Sequence, residues 1–216
     1  MKNLLSVKKL YDESSKFSEE HKKVIWGSKK SMINRHKLFF KIIRKNNFNN
    51  WLDIGSGTGA IFEMSEKKRV LINYKVGIEY NKKLFEFSKK KKFKQRIKFL
   101  NKNFLDYKST KKFDLVSAIG VMQNCGYSYK KFLSHINKVT KKKSFLFITS
   151  KNSLFRGNKK NFKKSSSHLW FNPFEIKKFL ENLQFKIINF SGFIPELNKV
   201  VKIENSSTFF IYAHKR

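Results

Sequence analysis

The chain has 216 residues, of which 40% are hydrophobic and 16% aromatic, and this apolar content excludes an intrinsically disordered protein. Its single cysteine, Cys125, excludes an internal disulfide and a Cys-x-x-Cys site, so we expect no metal and a reducing, cytoplasmic location. No stretch approaches the roughly 20 apolar residues of a membrane span, and the first ten residues lack the apolar run of a signal peptide, so we expect no membrane insertion.

The formal net charge of +34 points to polyanions, but the residue types weaken that interpretation. Most of the excess is Lys, scattered along the chain beside abundant Asn, Ile and Phe, as the codons of an AT-rich genome would produce. Arg, which recognises phosphates and bases in a bidentate way, is rare by comparison. We therefore favour compositional drift and keep nucleic acid as the alternative partner.

The first predicted elements are a helix over 31–45, with Ser31 as its N-cap, and an apolar strand over 51–54. Strands and helices then alternate. Further strands are predicted over 75–79, 96–101, 113–119, 144–150, 185–190 and 208–213, and further helices over 60–67, 81–91, 129–140 and 173–183.

This alternation predicts an α/β fold with a seven-stranded, mostly parallel sheet and helices on both faces. The last two strands depart from the alternation, because a polar loop with Pro195, and no helix, separates them. We expect these two strands to pair as an antiparallel C-terminal hairpin. Neither a repeat nor a linker interrupts the pattern, which indicates one compact unit.

The strongest local motif is Asp53-Ile54-Gly55-Ser56-Gly57-Thr58-Gly59, between an apolar strand and a helix. Its glycines allow a sharp turn and a close approach of the backbone to a ligand. The following helix N-terminus offers free N–H groups to a carboxylate or a phosphate. Three alternating glycines exceed what a plain turn needs, so the motif predicts a nucleotide-type ligand.

A second motif, Val76-Gly77-Ile78-Glu79-Tyr80, ends the next predicted strand. A carboxylate there, about 20 residues beyond the glycine loop, can accept hydrogen bonds from both hydroxyls of a ribose. Alone, Glu79 is equally well explained as a solvated charge. Next to the glycine loop, it indicates a ribose site.

Together the two motifs resemble motifs I and II of the class I, Rossmann-like S-adenosylmethionine-dependent methyltransferases. The resemblance implies S-adenosyl-L-methionine (SAM) as the cofactor. It also implies that Asn103 and Phe104 follow the third strand beside the adenine, although many relatives have Asp in place of Asn103, and that Ile119 ends the fourth strand. The implied cofactor-binding residues are Asp53, Gly55, Ser56, Gly57, Gly59, Glu79, Tyr80, Asn103, Phe104 and Ile119.

The resemblance covers residues 51–216, which gives a SAM-binding methyltransferase domain over 47–216. Residues 1–46 resemble the helical lid that many members place over the substrate. The segment 168–174, with its helix and hairpin, is similar to that of small-molecule members. We therefore expect a methyltransferase acting on an O or N atom of a small-molecule acceptor.

No catalytic residue stands out. Gln123 and Asn124 follow the fourth strand and either orient an acceptor or cap a turn. His36 is a candidate base if its helix covers the pocket, although a lone helical His is more often structural. The substrate-binding candidates, each equally explained by packing, are Tyr11, Trp26, Arg35 and Trp170.

Three other functions fit part of the sequence. Gly55, Gly57 and Ala60 satisfy a dinucleotide motif, and Tyr127 with Lys131 matches the Tyr-x-x-x-Lys pair of short-chain reductases, as in an NAD(P)-dependent oxidoreductase. The charge suggests an RNA or DNA methyltransferase, but residues 119–124 lack the Asn/Asp-Pro-Pro-aromatic motif of the base-amino enzymes. A SAM-binding protein without turnover also fits the same motifs.

Overall fold

The computed structural model describes residues 4–157 and 168–216. The strands are β1 (Asn50–Ile54), β2 (Tyr74–Glu79), β3 (Ile97–Asn101), β4 (Phe113–Ile119), β5 (Thr140–Lys151), β6 (Phe185–Ile194), β7 (Lys199–Val201) and β8 (Thr208–Lys215). The α-helices are α1 (Leu4–Ser14), α2 (Glu20–Lys23), α3 (Lys29–Ile43), α4 (Ala60–Lys67), α5 (Lys82–Lys90), α6 (Tyr129–Val139) and α7 (Pro173–Asn182). Short 3-10 turns lie at Phe104–Asp106, Met122–Asn124 and Ile203–Asn205.

The strands form a single sheet in the order β3-β2-β1-β4-β5-β8-β6-β7. The first five strands pair in parallel, whereas β8 lies between β5 and β6 and is antiparallel to both. The predicted parallel sheet with an antiparallel C-terminal end is therefore confirmed. The predicted number of strands was one too few, because β7 is a three-residue strand paired with β6 inside the expected loop. Three residues are too few to show an alternating pattern.

The chain order of the strands reverses between β1 and β4, and this reversal places the functional cleft. In an open parallel sheet the loops that leave two such strands run in opposite directions and open a crevice at their carboxyl ends. The glycine motif leaves β1 at this edge, and the turn at Met122–Asn124 leaves β4 there.

Side-chain caps fix where the helices begin. Ser28 caps α3, because its hydroxyl accepts a hydrogen bond from the Ser31 N–H at 3.0 Å. The prediction that Ser31 is the cap was wrong, since Ser31 lies inside the helix. Asn81 caps α5 and Asn172 caps α7, where Pro173 occupies the first turn.

Two apolar clusters cover the two faces of the sheet. On one face, Trp51 is fully buried and its ring lies 5.2 Å from that of Phe39 on α3 and 4.8 Å from that of Phe62 on α4. On the other face, α6 and α7 bury residues such as Leu133 and Leu180. Within the predicted lid, α3 is thus part of the core, and residues 1–3 lie outside the described residues.

None of the helices in the described part of the chain is both long and apolar enough to cross a membrane. Within residues 4–157 and 168–216, no group of three or more His, Cys, Asp or Glu side chains is placed to hold a metal ion.

Candidate cofactor and acceptor cleft

The loop after β1 turns back on the sheet through glycines in the left-handed region. Gly55 and Gly57 have φ angles of 70° and 53°. The N–H groups of Gly55 and Ser56 donate to the carbonyl oxygen of Ile78 at 2.8 and 3.0 Å, which ties the loop to β2. A Cβ on Gly57 would lie 2.9 Å from Cγ1 of Val24, so both the backbone conformation and the close contact require glycine there.

Glu79 ends β2 with its carboxylate held against the glycine loop. Its Oε2 accepts a hydrogen bond from the Gly57 N–H at 2.8 Å, and its Oε1 accepts one from the Asn81 N–H at 2.7 Å. Burial raises the pKa of Glu79 above its usual range, although these hydrogen bonds act to lower it. Each carboxylate oxygen keeps a further lone pair, so the group is fixed in place and still able to accept hydrogen bonds from a ligand.

Asp53 is oriented by a chain of hydrogen bonds that crosses from β1 to β4. The Trp51 indole N–H donates to the Ser117 hydroxyl at 2.8 Å, and that hydroxyl donates to Asp53 Oδ1 at 2.5 Å. Burial raises the pKa of Asp53 to about 7, Glu79 adds to the rise, and the Ser117 hydrogen bond opposes it. A cation bound beside Asp53 would favour the ionised carboxylate.

These groups face a cleft that encloses about 1150 Å³ of empty volume, counting the part open to solvent. Except for Gly59, the residues predicted to bind the cofactor line it, namely Asp53, Gly55, Ser56, Gly57, Glu79, Tyr80, Asn103, Phe104 and Ile119.

Gly59 has a different place from the one expected. It is the N-cap of α4, with a φ angle of 80°, and a Cβ there would lie 3.3 Å from the Phe99 ring. It therefore shapes the start of the helix, on the side of β3, and does not line the cleft.

The N-terminal elements form the roof of the cleft. Val7 and Tyr11 of α1, with Val24 and Trp26 after α2, line it together with the glycine loop. Hydrogen bonds and an ion pair connect this roof to the glycine loop and to the two ends of α5, which we call the floor of the cleft. Glu20 of α2 accepts one from the Thr58 hydroxyl at 2.7 Å and contacts Lys91, and Asp12 accepts one from the Asn81 amide at 2.8 Å.

A polar chain lies where β4 ends. The Asn124 amide donates to the Tyr11 hydroxyl at 3.0 Å, and its carbonyl oxygen lies 2.7 Å from Nδ1 of His168. Of the pair predicted here, Asn124 lines the cleft and Gln123 does not. The Gln123 side chain accepts from Ser150 at 3.2 Å, which connects the turn to β5.

His36 lines the cleft from α3, as the prediction of a pocket-facing helix requires. Burial lowers its pKa to about 4, with a smaller opposing effect of Glu20. The imidazole is therefore uncharged at pH 7. The neutral ring keeps one N–H and one free lone pair, so it can donate one hydrogen bond and accept another.

Among the predicted substrate residues, Tyr11 and Trp26 line the cleft, whereas Arg35 and Trp170 do not. The Arg35 guanidinium lies behind Trp26, with its Cζ 4.2 Å from the indole centroid. Trp170 lies against Lys151, whose ammonium is 5.4 Å from the ring centroid. Arg35 is therefore a neighbour of the cleft, whereas Trp170 lies beside the end of β5.

Several residues that the site uses were not predicted from the sequence. Ser117 and Asn81 hold the two carboxylates, and no motif marks either of them. Tyr127 drew attention as part of a reductase-like pair, and its hydroxyl in fact accepts a hydrogen bond from the Asn103 amide at 2.6 Å. The Ser117 and Tyr127 contacts join segments far apart in the chain, and Asn81 acts through its backbone N–H, so local side-chain patterns do not reveal them.

A family model described as a methyltransferase domain matches residues 45–186. The fold is similar to that of the N-methyltransferase NodS from Bradyrhizobium japonicum, solved in complex with S-adenosyl-L-homocysteine (SAH), with a TM-score of 0.68 and 10% identity over 97% of this chain and 98% of that chain. It is also similar to magnesium protoporphyrin IX methyltransferase from Synechocystis with bound SAM (TM-score 0.67, 11% identity, 100% and 98% of the chains). A third similar structure is a SAM-dependent methyltransferase from Clostridium acetobutylicum (TM-score 0.64, 11% identity, 85% and 91% of the chains). No curated protein sequence matches the chain.

Proposed function

Because the chain belongs to the methyltransferase family, of the class I type that uses SAM, we propose that it is an active enzyme that methylates an O or N atom of a small-molecule acceptor. One observation carries the proposal. The glycine loop and two buried carboxylates face a cleft that α1 and the segment after α2 also line, so a bound cofactor would be partly shielded from water.

The residues of the cleft fit SAM. Glu79 is held by two backbone N–H groups with acceptor capacity left for the ribose hydroxyls. The Ser56 hydroxyl is buried without a hydrogen-bond partner among the described residues, beside the loop where the amino-acid portion would lie. Asp53 supplies a carboxylate for the ammonium group of that portion. Asn103 and Phe104 line the part of the cleft next to β3 and would contact the adenine.

When bound, SAM supplies an electrophilic methyl group on a sulfonium. The contribution of the protein is to align the acceptor with that methyl group and to keep water out, which accounts for much of the rate in such displacements. Tyr11, Asn124 and His36 line the cleft beyond β4 and would orient the acceptor. Burial raises the pKa of Tyr11, so its hydroxyl stays neutral and serves as a hydrogen-bonding group.

The covered cleft favours a small acceptor over a polynucleotide. A base within a nucleic acid would have to leave its stack and pass beneath α1 and α2 to reach the site. The family match also favours methyl transfer over the reductase that the Tyr127 and Lys131 pair suggested.

The test uses the full chain and SAM labelled in its methyl group, incubated with an extract separated into a low-molecular-weight fraction, RNA and protein. We expect label in the low-molecular-weight fraction, and none with the Glu79→Ala variant. Tight SAM binding with no transfer to any fraction would instead identify a binding protein without turnover. Label in RNA would identify a nucleic-acid methyltransferase.

A further inference from the structure

Arg35 is a buried cation beside β5 and β8, across β4 from the glycine loop. It is 7% exposed. Its Nη1 donates to the carbonyl oxygen of Ser31 at 3.3 Å and to the Ser31 hydroxyl, and its Nη2 donates to the Thr208 hydroxyl at 3.3 Å. A guanidinium has more N–H donors than these contacts use. Within residues 4–157 and 168–216, no carboxylate forms an ion pair with Arg35.

A second cation, Lys151, lies close to Arg35. Lys151 is the last residue of β5, and its partner in the sheet is Thr208, the residue to which Arg35 donates. Burial lowers the pKa of Lys151, and the nearby charge of Arg35 lowers it further. Two positive charges are therefore held together, in a place where burial already disfavours each of them.

One nearby carboxylate, that of Glu196, offsets only part of the positive charge of Arg35 and Lys151. Glu196 lies on the turn after β6, is exposed, and favours the charged forms of both Arg35 and Lys151. It makes an ion pair with neither of them in the described part of the chain. The site thus holds an excess of positive charge, and an anion would remove that excess.

Arg35 lies next to the cleft, separated from it by Trp26. Trp26 contacts Arg35 on one side, and its Cη2 would lie 2.9 Å from a Cβ on Gly120 at the end of β4. The second tryptophan, Trp170, lies against Lys151. Apolar rings beside a charge lower the local dielectric constant and strengthen its attraction to an opposite charge.

We propose that Arg35 and Lys151 bind an anionic group of the acceptor, a carboxylate or a phosphate, and that the enzyme therefore methylates acidic small molecules. The inference rests on the proposed function, because it assigns an acceptor class to the same cleft. A guanidinium suits planar, two-point recognition of such anions, and an ammonium adds a compact charge.

The test is calorimetric titration of the full chain with benzoate, with inorganic phosphate and with neutral benzamide, at constant ionic strength. Each titration is made with and without saturating SAH. We expect saturable binding of benzoate or of phosphate, and the tighter of the two identifies the group. Arg35→Met and Lys151→Met should each weaken that binding about tenfold or more, whereas Lys142→Met, at the opposite end of β5, should leave it unchanged.

Two results would overturn the inference. One is equal binding of benzoate and benzamide, and the other is anion binding that neither Arg35→Met nor Lys151→Met weakens. Lys151 is only partly buried, so its variant decides the matter even if Arg35→Met does not fold. The SAH titration of the unchanged chain reports separately on the proposed function, since absence of SAH binding there contradicts that function whatever the anions do.

Discussion

Two buried carboxylates, Asp53 and Glu79, face one cleft in a chain whose net charge is +34. Neither is ion-paired in the described part of the chain. Burying acids without cations is costly unless a ligand brings the charge. SAM carries a positively charged ammonium and a positively charged sulfonium. The two acids therefore complement its charge, whereas lysine side chains would repel it.

The raised pKa of Asp53 predicts how ligand affinity depends on pH. Its value of about 7 means that the carboxyl is protonated in acid, and a bound ammonium favours the ionised form. The affinity for SAH should therefore rise with pH through about 7, by up to about tenfold per pH unit below that value. Glu79 titrates in the same direction.

Calorimetry between pH 5.5 and 8.5 measures this dependence. Asp53→Asn should bind SAH weakly over this whole pH range. Its SAH affinity should also depend less on pH, because the titration of Asp53 is absent. An affinity of the unchanged chain that falls as the pH rises would contradict the assignment.

Glu79→Ala should weaken SAH binding by roughly 1.5–3 kcal/mol, the contribution of hydrogen bonds to a charged group. Loss of the contact to the Gly57 N–H also releases the glycine loop. Glu181→Ala, an exposed residue of α7, is the matched control and should bind SAH normally. Equal dissociation constants for the two variants would exclude Glu79 from the site.

At this scale the sequence identified residues whose role follows from local order. Asp53 and Glu79 each occupy a set place relative to a strand and a glycine loop, and both line the cleft. Ser117 and Asn81 went unnoticed because each acts on a carboxylate from another part of the chain or through its backbone N–H.

Among the secondary-structure elements, α2 determines how the cleft is closed. Glu20 joins the Thr58 hydroxyl of the glycine motif to Lys91 after α5, and Lys91 also pairs with Glu63 of α4 at 2.7 Å. These contacts connect the roof to three elements of the floor. They should slow the release of a ligand held between roof and floor.

Thr58→Val removes the hydroxyl that donates a hydrogen bond to Glu20. We expect SAH to dissociate roughly two- to tenfold faster, since one hydrogen bond contributes about 0.5–1.5 kcal/mol. Stopped-flow displacement measures the rate, and Thr110→Val, on an exposed loop, is the matched control. In a double-mutant cycle with Glu20→Ala the two effects should not add. Strictly additive effects would show that the contact does not hold the roof.

The glycine loop offers a second test at the level of elements. Gly57→Ala places a methyl group against Val24 and strains a residue with a φ angle of 53°, so it should displace the loop or the roof and weaken SAH binding. Gly27→Ala meets nothing within 4 Å and should bind normally. Normal SAH binding by Gly57→Ala would show that the loop does not need its glycine.

Periodicity predicted the bounds of some elements closely and those of others only in part, since β5 and β6 extend beyond the predicted 144–150 and 185–190. The bounds of α4 and β4 are those expected, because each has a clear pattern between strong boundaries. The start of α3 was placed three residues late at its cap, since two serines precede the helix and only contacts distinguish them. The three-residue β7 exists through its pairing with β6 and has no pattern of its own.

For the whole molecule, the charge and the fold point to different partners. The excess of lysine is spread over the chain, whereas the cleft presents two acids at one end and lies beside the Arg35 and Lys151 pair at the other. Composition describes the average surface, and the sign of charge in a cleft depends on which residues the fold brings together. The alternation of strands and helices predicted the fold, but which residues of α1 and α3 line the cleft required the structure.

We propose that the loop after β1 and the carboxylate at the end of β2 hold SAM. A crystal structure of the full chain with SAH would show whether they do. We expect both ribose hydroxyls within hydrogen-bonding distance of Glu79 and the amino-acid portion against Gly55–Gly57 and Asp53. SAH bound elsewhere, or a glycine loop that stays closed by Val24 in the presence of saturating SAH, would contradict it.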